Sequence, residues 1–154
     1  MASEIEQRLQ KLGIELPKPA APVANYVGAV VAGNLLIVSG QLPIGPDGIT
    51  IKGKLGANVT EAQGKDAARL CAINILAQAK AALGDLSRIK RCIRLGGFVN
   101  AVPDYQTIPQ VINGASDLMV EALGDAGKHA RYAIGVAQLP LDAPVEVEAM
   151  FEIS

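Results

Sequence analysis

The 154-residue chain is poor in aromatic side chains: it has no Trp, three Tyr and two Phe, although half of its residues are hydrophobic. Its core must therefore be packed from Ala, Val, Ile and Leu, and its length fits one domain. Charged residues or prolines interrupt every hydrophobic run, so no segment is predicted to span a membrane. A mean hydropathy of +0.29 indicates either a well-filled core or apolar surface left for an oligomer interface, and we favour the interface.

Several catalytic signatures are also missing. One His cannot form a two-histidine metal site, and the chain has no Gly-x-Ser-x-Gly elbow, no phosphate-binding loop and no dinucleotide-binding glycine motif. We therefore predict chemistry without a cofactor or metal. Cys71 and Cys92 fall within a predicted helix and strand, which favours buried free thiols over a disulfide. No secretory signal precedes them, so a cytoplasmic location is expected.

Charge gives little sign of a macromolecular partner. The formal net charge is −1, and Lys and Arg are scattered along the chain instead of forming a stripe. A nucleic-acid partner is therefore not expected.

The first 22 residues predict an accessory helix and a linker in front of a core that spans 23–154. Ser3 and Glu6 match a capping box, and Gly13 is expected to end the helix. Prolines in the segment 16–22 predict an extended linker.

The core begins with a predicted hairpin. The segments 26–31 and 35–39 flank Gly33-Asn34, a pair suited to a tight turn. The segment 49–55 is expected to add a short edge strand.

Two amphipathic helices are predicted further along the chain. Apolar residues recur every three or four positions from a capping box at Thr60 to Gly84, and again from Ile108 to Gly124. A strand at 91–99 lies between the helices, and two strands follow the second one. A strand, helix and strand in succession normally make a parallel, right-handed crossover. We therefore predict an α+β fold with a mixed sheet and two helices on one face.

The last quarter of the chain carries the most functional information. Arg131 opens a predicted strand whose next eight residues carry no charge, and its planar guanidinium can hold a small carboxylate with two hydrogen bonds. The alternative is an ion pair with Glu146 or Asp142. Glu146 alternates with valines, which by itself indicates a solvated strand face. His129 either tunes the charge of this region or is a hydrogen-bonded structural residue.

The same segment resembles the RidA/YjgF family of reactive-intermediate (enamine/imine) deaminases. The resemblance rests on the strand opening Ala130-Arg131, the turn Val136 to Pro140 and the closing Val145 to Ala149, and on upstream matches at Tyr26-Val, 33–43 and Asn113. It covers roughly residues 20 to 153. The family implies a single domain with a chorismate-mutase-like fold, in a homotrimer with ligand sites between subunits. The N-terminal helix, Ala133 where many members carry Cys, and the large Tyr132 indicate a divergent subfamily.

The resemblance also assigns roles to particular residues. Arg131 matches the arginine that binds the substrate carboxylate, and Glu146 matches the acidic residue that holds the attacking water. A carboxylate there either accepts a proton from the water or only orients its lone pair, and we favour the orienting role. Tyr26, Ser39 and Asn113 match positions that line the family's ligand cleft, together with Arg131. Gly40 beside Ser39 lets a ligand approach the backbone closely, and Phe98 is expected to be an apolar wall of the pocket or part of the core. Without the resemblance, ordinary structural roles are favoured for Tyr26, Ser39 and Asn113.

The expected function is cofactor-free hydrolysis of 2-imino or 2-enamino acids to 2-keto acids and ammonia. A protonated imine is already a strong electrophile, so orientation and desolvation suffice without a metal or covalent nucleophile. The alternative is a non-catalytic trimer that binds a small carboxylate as a sensor or scaffold. Ribonuclease activity is disfavoured because the chain lacks a basic, aromatic surface.

Overall fold

The fold is built on one five-stranded sheet. We describe residues 2–19, 21–22 and 24–154 of a computed structural model. The predicted linker includes Ala20, which lies outside this set, as do Met1 and Val23. The helices are α1 (Glu4–Lys11), α2 (Glu61–Leu83) and α3 (Ile108–Leu123). The strands are β1 (Ala29–Ala32), β2 (Leu35–Gln41), β3 (Ile89–Asn100), β4 (Ala130–Val136) and β5 (Val145–Ile153).

The strand order is β1-β2-β5-β3-β4. β3 and β4 are parallel and joined through α3, as predicted, and the other neighbouring strands are antiparallel. The two terminal strands are not neighbours: after a 3₁₀ turn at Pro140–Asp142, the chain passes β3 and β5 inserts between β2 and β3. β4 and β5 therefore border the long strand β3 from opposite sides.

The long helices cover one face of the sheet, which confirms the predicted layering. α2 begins at a capping box formed by Thr60 and Gln63 and ends at Gly84. α3 runs unbroken through Gly114, where an added Cβ would lie 2.1 Å from the backbone oxygen of Lys65. Only glycine permits this close helix crossing.

The accessory helix α1 is also present, with the predicted Ser3 and Glu6 capping box. It packs on the long helices: Glu6 pairs with Lys80, and Arg8 donates to the Ala122 carbonyl. None of the helices in the described ranges is long and apolar enough to cross a membrane.

Two predictions about the N-terminal half were wrong in detail. The segment 49–55 forms no strand and instead makes isolated bridges that bring the buried Leu55 under the end of β3. The backbone at Gly53 has φ +122°, which interrupts extended pairing there. The first hairpin strand begins at Ala29, so Tyr26 precedes it in a loop and is 55% exposed.

On the second face of the sheet, the part of the chain that the structure describes places no helix. Val30, Ile37 and Ile134 point from this face and are 41–50% exposed. Glu146, Glu148 and Glu152 alternate with buried residues on β5, so they also lie on this face. We call it the helix-free face.

Candidate functional site

Arg131 is the second residue of the edge strand β4, and its half-buried side chain turns toward α3. Its Nη1 donates to Oδ1 of Asn113 at 2.8 Å and to Oγ of Ser116 at 3.1 Å. These residues lie three positions apart and therefore share one face of α3. Both protons of Nη1 are used by these two contacts.

The remaining edge of the guanidinium has no protein partner in the described ranges. Neither Nε nor Nη2 of Arg131 forms a hydrogen bond there, and Arg131 forms no salt bridge to Glu146 or Asp142. The described residues of one chain therefore give Arg131 no ion pair, and an ion pair across a subunit interface is the form of that alternative that remains. Nε and Nη2 together form the flat edge of a guanidinium that matches a carboxylate with two parallel hydrogen bonds.

His129 is a hydrogen-bonded residue and is connected to Arg131. Its Nε2 lies 2.9 Å from Oγ of Ser116, and its Nδ1 lies 2.6 Å from the carbonyl oxygen of Gly127. The sequence does not predict the contacts of Ser116 with His129 and Arg131, because α3 and the segment that carries these two residues come together only when the chain folds.

Glu146 lies on the other side of the sheet, half-buried on the helix-free face. Burial, and secondarily the charge of Glu148, raises the pKa of the Glu146 carboxyl above its usual value. A carboxylate with a raised pKa is a stronger base than an ordinary glutamate. The Glu146 carboxylate is therefore suited to accept a proton.

Ser39 and Gly40 accompany Glu146. A Cβ at Gly40 would lie 2.6 Å from Oε1 of Glu146, so the absence of a side chain leaves room for the carboxylate. The Ser39 hydroxyl donates to the Val27 carbonyl at 2.6 Å, which ties the loop that carries Tyr26 to this part of β2. Gly40 therefore borders Glu146, and the loop before β1 is attached to the neighbouring Ser39.

Phe98 is half-buried and directly opposite Glu146 in the β3/β5 pairing. Its ring meets that of Tyr132 edge to face, with centroids 5.7 Å apart. The Tyr132 hydroxyl donates to Oε1 of Glu148 at 2.6 Å, and burial together with this contact raises the pKa of Tyr132 to about 12. Arg94 lies 3.6 Å from the same Oε1. Tyr132 and Glu148 were not predicted as site residues, although strand pairing places both on the same face of the sheet as Glu146.

The predicted residues thus form two groups that one chain does not bring together. Arg131 is in register with Leu95 and Ala149 across β4, β3 and β5. Glu146 lies three residues from Ala149 along β5, and β5 lies two strand spacings from β4. The Cα atoms of Arg131 and Glu146 are therefore about 14 Å apart. Their side chains also point to opposite faces of the sheet. A ligand of three or four carbon atoms cannot contact both groups of one protomer.

The protein is therefore a small α+β protein whose mixed sheet carries an arginine group and a glutamate group at separated positions. Residues 6–153 match the family model described as "YjgF/chorismate_mutase-like, putative endoribonuclease". The chain belongs to the YjgF/RidA family.

Individual relatives agree with this assignment. Protein TCP17 of Trypanosoma cruzi is 48% identical over 99% of this chain and 96% of its own length. The crystal structure of an Agrobacterium tumefaciens protein of unknown function is 51% identical, covers 98% of this chain and 93% of that one, and has a TM-score of 0.92. "Putative reactive intermediate deaminase TdcF" of Escherichia coli is 29% identical over 89% of this chain and 93% of its own. These names support a general RidA-type function.

Proposed function

We propose that the protein hydrolyses reactive 2-imino and 2-enamino acids to 2-keto acids and ammonia. The observation that carries the proposal is the hydrogen bonding of the Arg131 guanidinium. Asn113 and Ser116 occupy Nη1, whereas Nε and Nη2 have no partner within the described residues. An arginine held in this way fits the carboxylate common to these substrates.

We further propose that the complete site forms between subunits of a homotrimer. The Arg131 group of one protomer would face the Glu146 group of the next, since one chain separates them by about 14 Å. The apolar side chains Val30, Ile37 and Ile134 on the helix-free face favour burial against a second copy. A monomer at micromolar concentration in light scattering would contradict this arrangement.

The chemistry follows from the two groups. Arg131 binds the carboxylate and fixes the imine carbon beside a water held by Glu146. The water oxygen bonds to that carbon while one water proton passes through the Glu146 carboxylate to the nitrogen, which gives the carbinolamine. As the C–N bond breaks, the hydroxyl proton is transferred to the departing nitrogen, so the products are the keto acid and ammonia. The raised pKa of Glu146 favours the proton transfer.

A coupled assay tests the activity directly. An amino acid oxidase generates 2-iminopropanoate in place, and its decay is followed with and without the protein. We expect acceleration that Arg131→Lys reduces steeply, because a lysine ammonium cannot reproduce the two-pronged contact. Arg69→Lys is the matched control, since Arg69 pairs with Glu121 elsewhere on the surface. Binding of pyruvate without acceleration would instead identify a carboxylate-binding protein.

A further inference from the structure

The hydrogen bonds behind Arg131 form a directed chain that ends at the backbone. The Gly127 carbonyl oxygen only accepts, so Nδ1 of His129 carries the proton in their 2.6 Å contact. In the neutral ring Nε2 is then an acceptor, and the Ser116 hydroxyl donates to it across 2.9 Å. The lone pairs of the Ser116 oxygen are left to accept from Nη1 of Arg131.

The Gly127 end of this series of hydrogen bonds is held rigidly. An added Cβ at Gly127 would lie 2.2 Å from the backbone oxygen of Met119, so the 3₁₀ turn after α3 packs directly on that helix. The turn therefore fixes the carbonyl that orients the His129 ring. The ring in turn selects one of the staggered orientations of the Ser116 hydroxyl.

We propose that Ser116 and His129 are positioning residues, which hold the Arg131 guanidinium so that its Nε and Nη2 edge faces the substrate carboxylate. Asn113 alone gives one contact, about which the guanidinium can rotate. A second acceptor on the same nitrogen fixes the plane of the group. The inference rests on the proposed role of Arg131 in binding a carboxylate and assigns the specificity for that group to two further side chains.

A double-mutant cycle separates positioning from a structural role. Pyruvate affinity is measured by calorimetry for Ser116→Ala, His129→Phe and Arg131→Lys, and for the combination of the first and last. We expect Ser116→Ala and His129→Phe to weaken binding roughly tenfold. In the Arg131→Lys background, Ser116→Ala should have almost no effect.

Two further variants serve as controls. His129→Gln keeps an acceptor for the Ser116 hydroxyl and should retain more affinity than His129→Phe. Ser154→Ala removes an exposed hydroxyl at the end of the chain and should leave binding unchanged. The proposal would be overturned if Ser116→Ala reduced pyruvate affinity equally in the wild-type and Arg131→Lys proteins. It would also be overturned if Ser116→Ala left the affinity unchanged and lowered only the Tm.

A second measurement does not depend on the proposed function. The order of the Arg131 Nε–H bond is followed by ¹⁵N relaxation, with its signal assigned from its loss in Arg131→Lys. We expect Ser116→Ala and His129→Phe to lower this order. If it stays as in the wild type, the positioning proposal fails even where pyruvate binds. If the wild type binds no keto acid but the order falls, only the proposed function fails.

Discussion

Gly40 faces the carboxylate of Glu146 so closely that a Cβ at position 40 would lie 2.6 Å from Oε1. No real Cβ contact is that short, so any side chain here displaces the carboxylate. The contact joins β2 to β5 on the helix-free face, at the residue expected to hold the attacking water.

Gly40→Ala should therefore reduce imine hydrolysis strongly while leaving the fold intact. The methyl group pushes the flexible end of Glu146 aside, and a misplaced base loses much of its effect on the rate. Steady-state rates with the coupled assay test this. Gly45→Ala is the matched control, because a Cβ there meets its nearest atom at 3.7 Å. Equal rates for both variants would show that the position of Glu146 does not matter.

Glu146→Gln should make the protein more stable near neutral pH. Burial and the charge of Glu148 raise the folded-state pKa of Glu146 above 4.5, so the folded protein holds this proton to a higher pH than the unfolded chain. Ionisation of Glu146 therefore lowers the free energy of unfolding. This loss is absent below pH 4.5 and grows as the pH rises from 4.5 to the folded-state pKa.

Thermal unfolding across pH measures this effect. The difference in Tm between Glu146→Gln and the wild type should be positive at about pH 7 and vanish at about pH 4. The same substitution at Glu152, on the same face of β5, is the control for a general loss of negative charge. A lower Tm for Glu146→Gln at neutral pH would mean that a cation compensates the buried carboxylate, and Arg131 of the neighbouring protomer is the candidate in the proposed trimer.

Gly114→Ala should destabilise the helix layer. Its Cβ would lie 2.1 Å from the Lys65 backbone oxygen, and backbone cannot move aside as a side chain can. Overpacking of this kind lowers the free energy of unfolding by about 1–3 kcal/mol. Urea unfolding of Gly114→Ala and Gly45→Ala compares the two positions, and equal midpoints would place the helices farther apart than described.

Neither cysteine should react with iodoacetamide in the folded protein. Cys71 and Cys92 are buried, and burial raises the pKa of both thiols, that of Cys92 to about 12. The reactive thiolate is therefore scarce, and the reagent cannot reach it. Mass spectrometry should find no adduct before urea is added and two afterwards. Rapid labelling of the native protein would show that the helix layer opens readily.

Periodicity was enough to predict the helices and the layering of this fold. The apolar spacing of α2 and α3 and the capping boxes at Ser3 and Thr60 are local signals, and each helix lies where those signals predict it. The insertion of β5 between β2 and β3 has no local signal, because strand order depends on contacts between distant segments. The segment 49–55 has strand-like composition but instead brings the buried Leu55 under the end of β3.

The candidate site was predicted to the extent that it resembles the family. Arg131 stands out from the residues alone as a carboxylate ligand, but only the resemblance favours that role over an ion pair. Glu146 alone fits a solvated strand face. Ser116 was not predicted at all: its contact with His129 joins α3 to the segment before β4. The separation of the Arg131 and Glu146 groups also depends on strand order, which the sequence pattern does not reveal.

Subunit mixing tests the central claim, that Arg131 and Glu146 of different protomers form one site. Arg131→Ala and Glu146→Gln chains with different tags are co-expressed, and trimers that carry both tags are purified. Each such ring contains one interface with both residues intact, so we expect about one third of wild-type activity although each variant alone is inactive. Activity no higher than that of the separate variants would contradict the account.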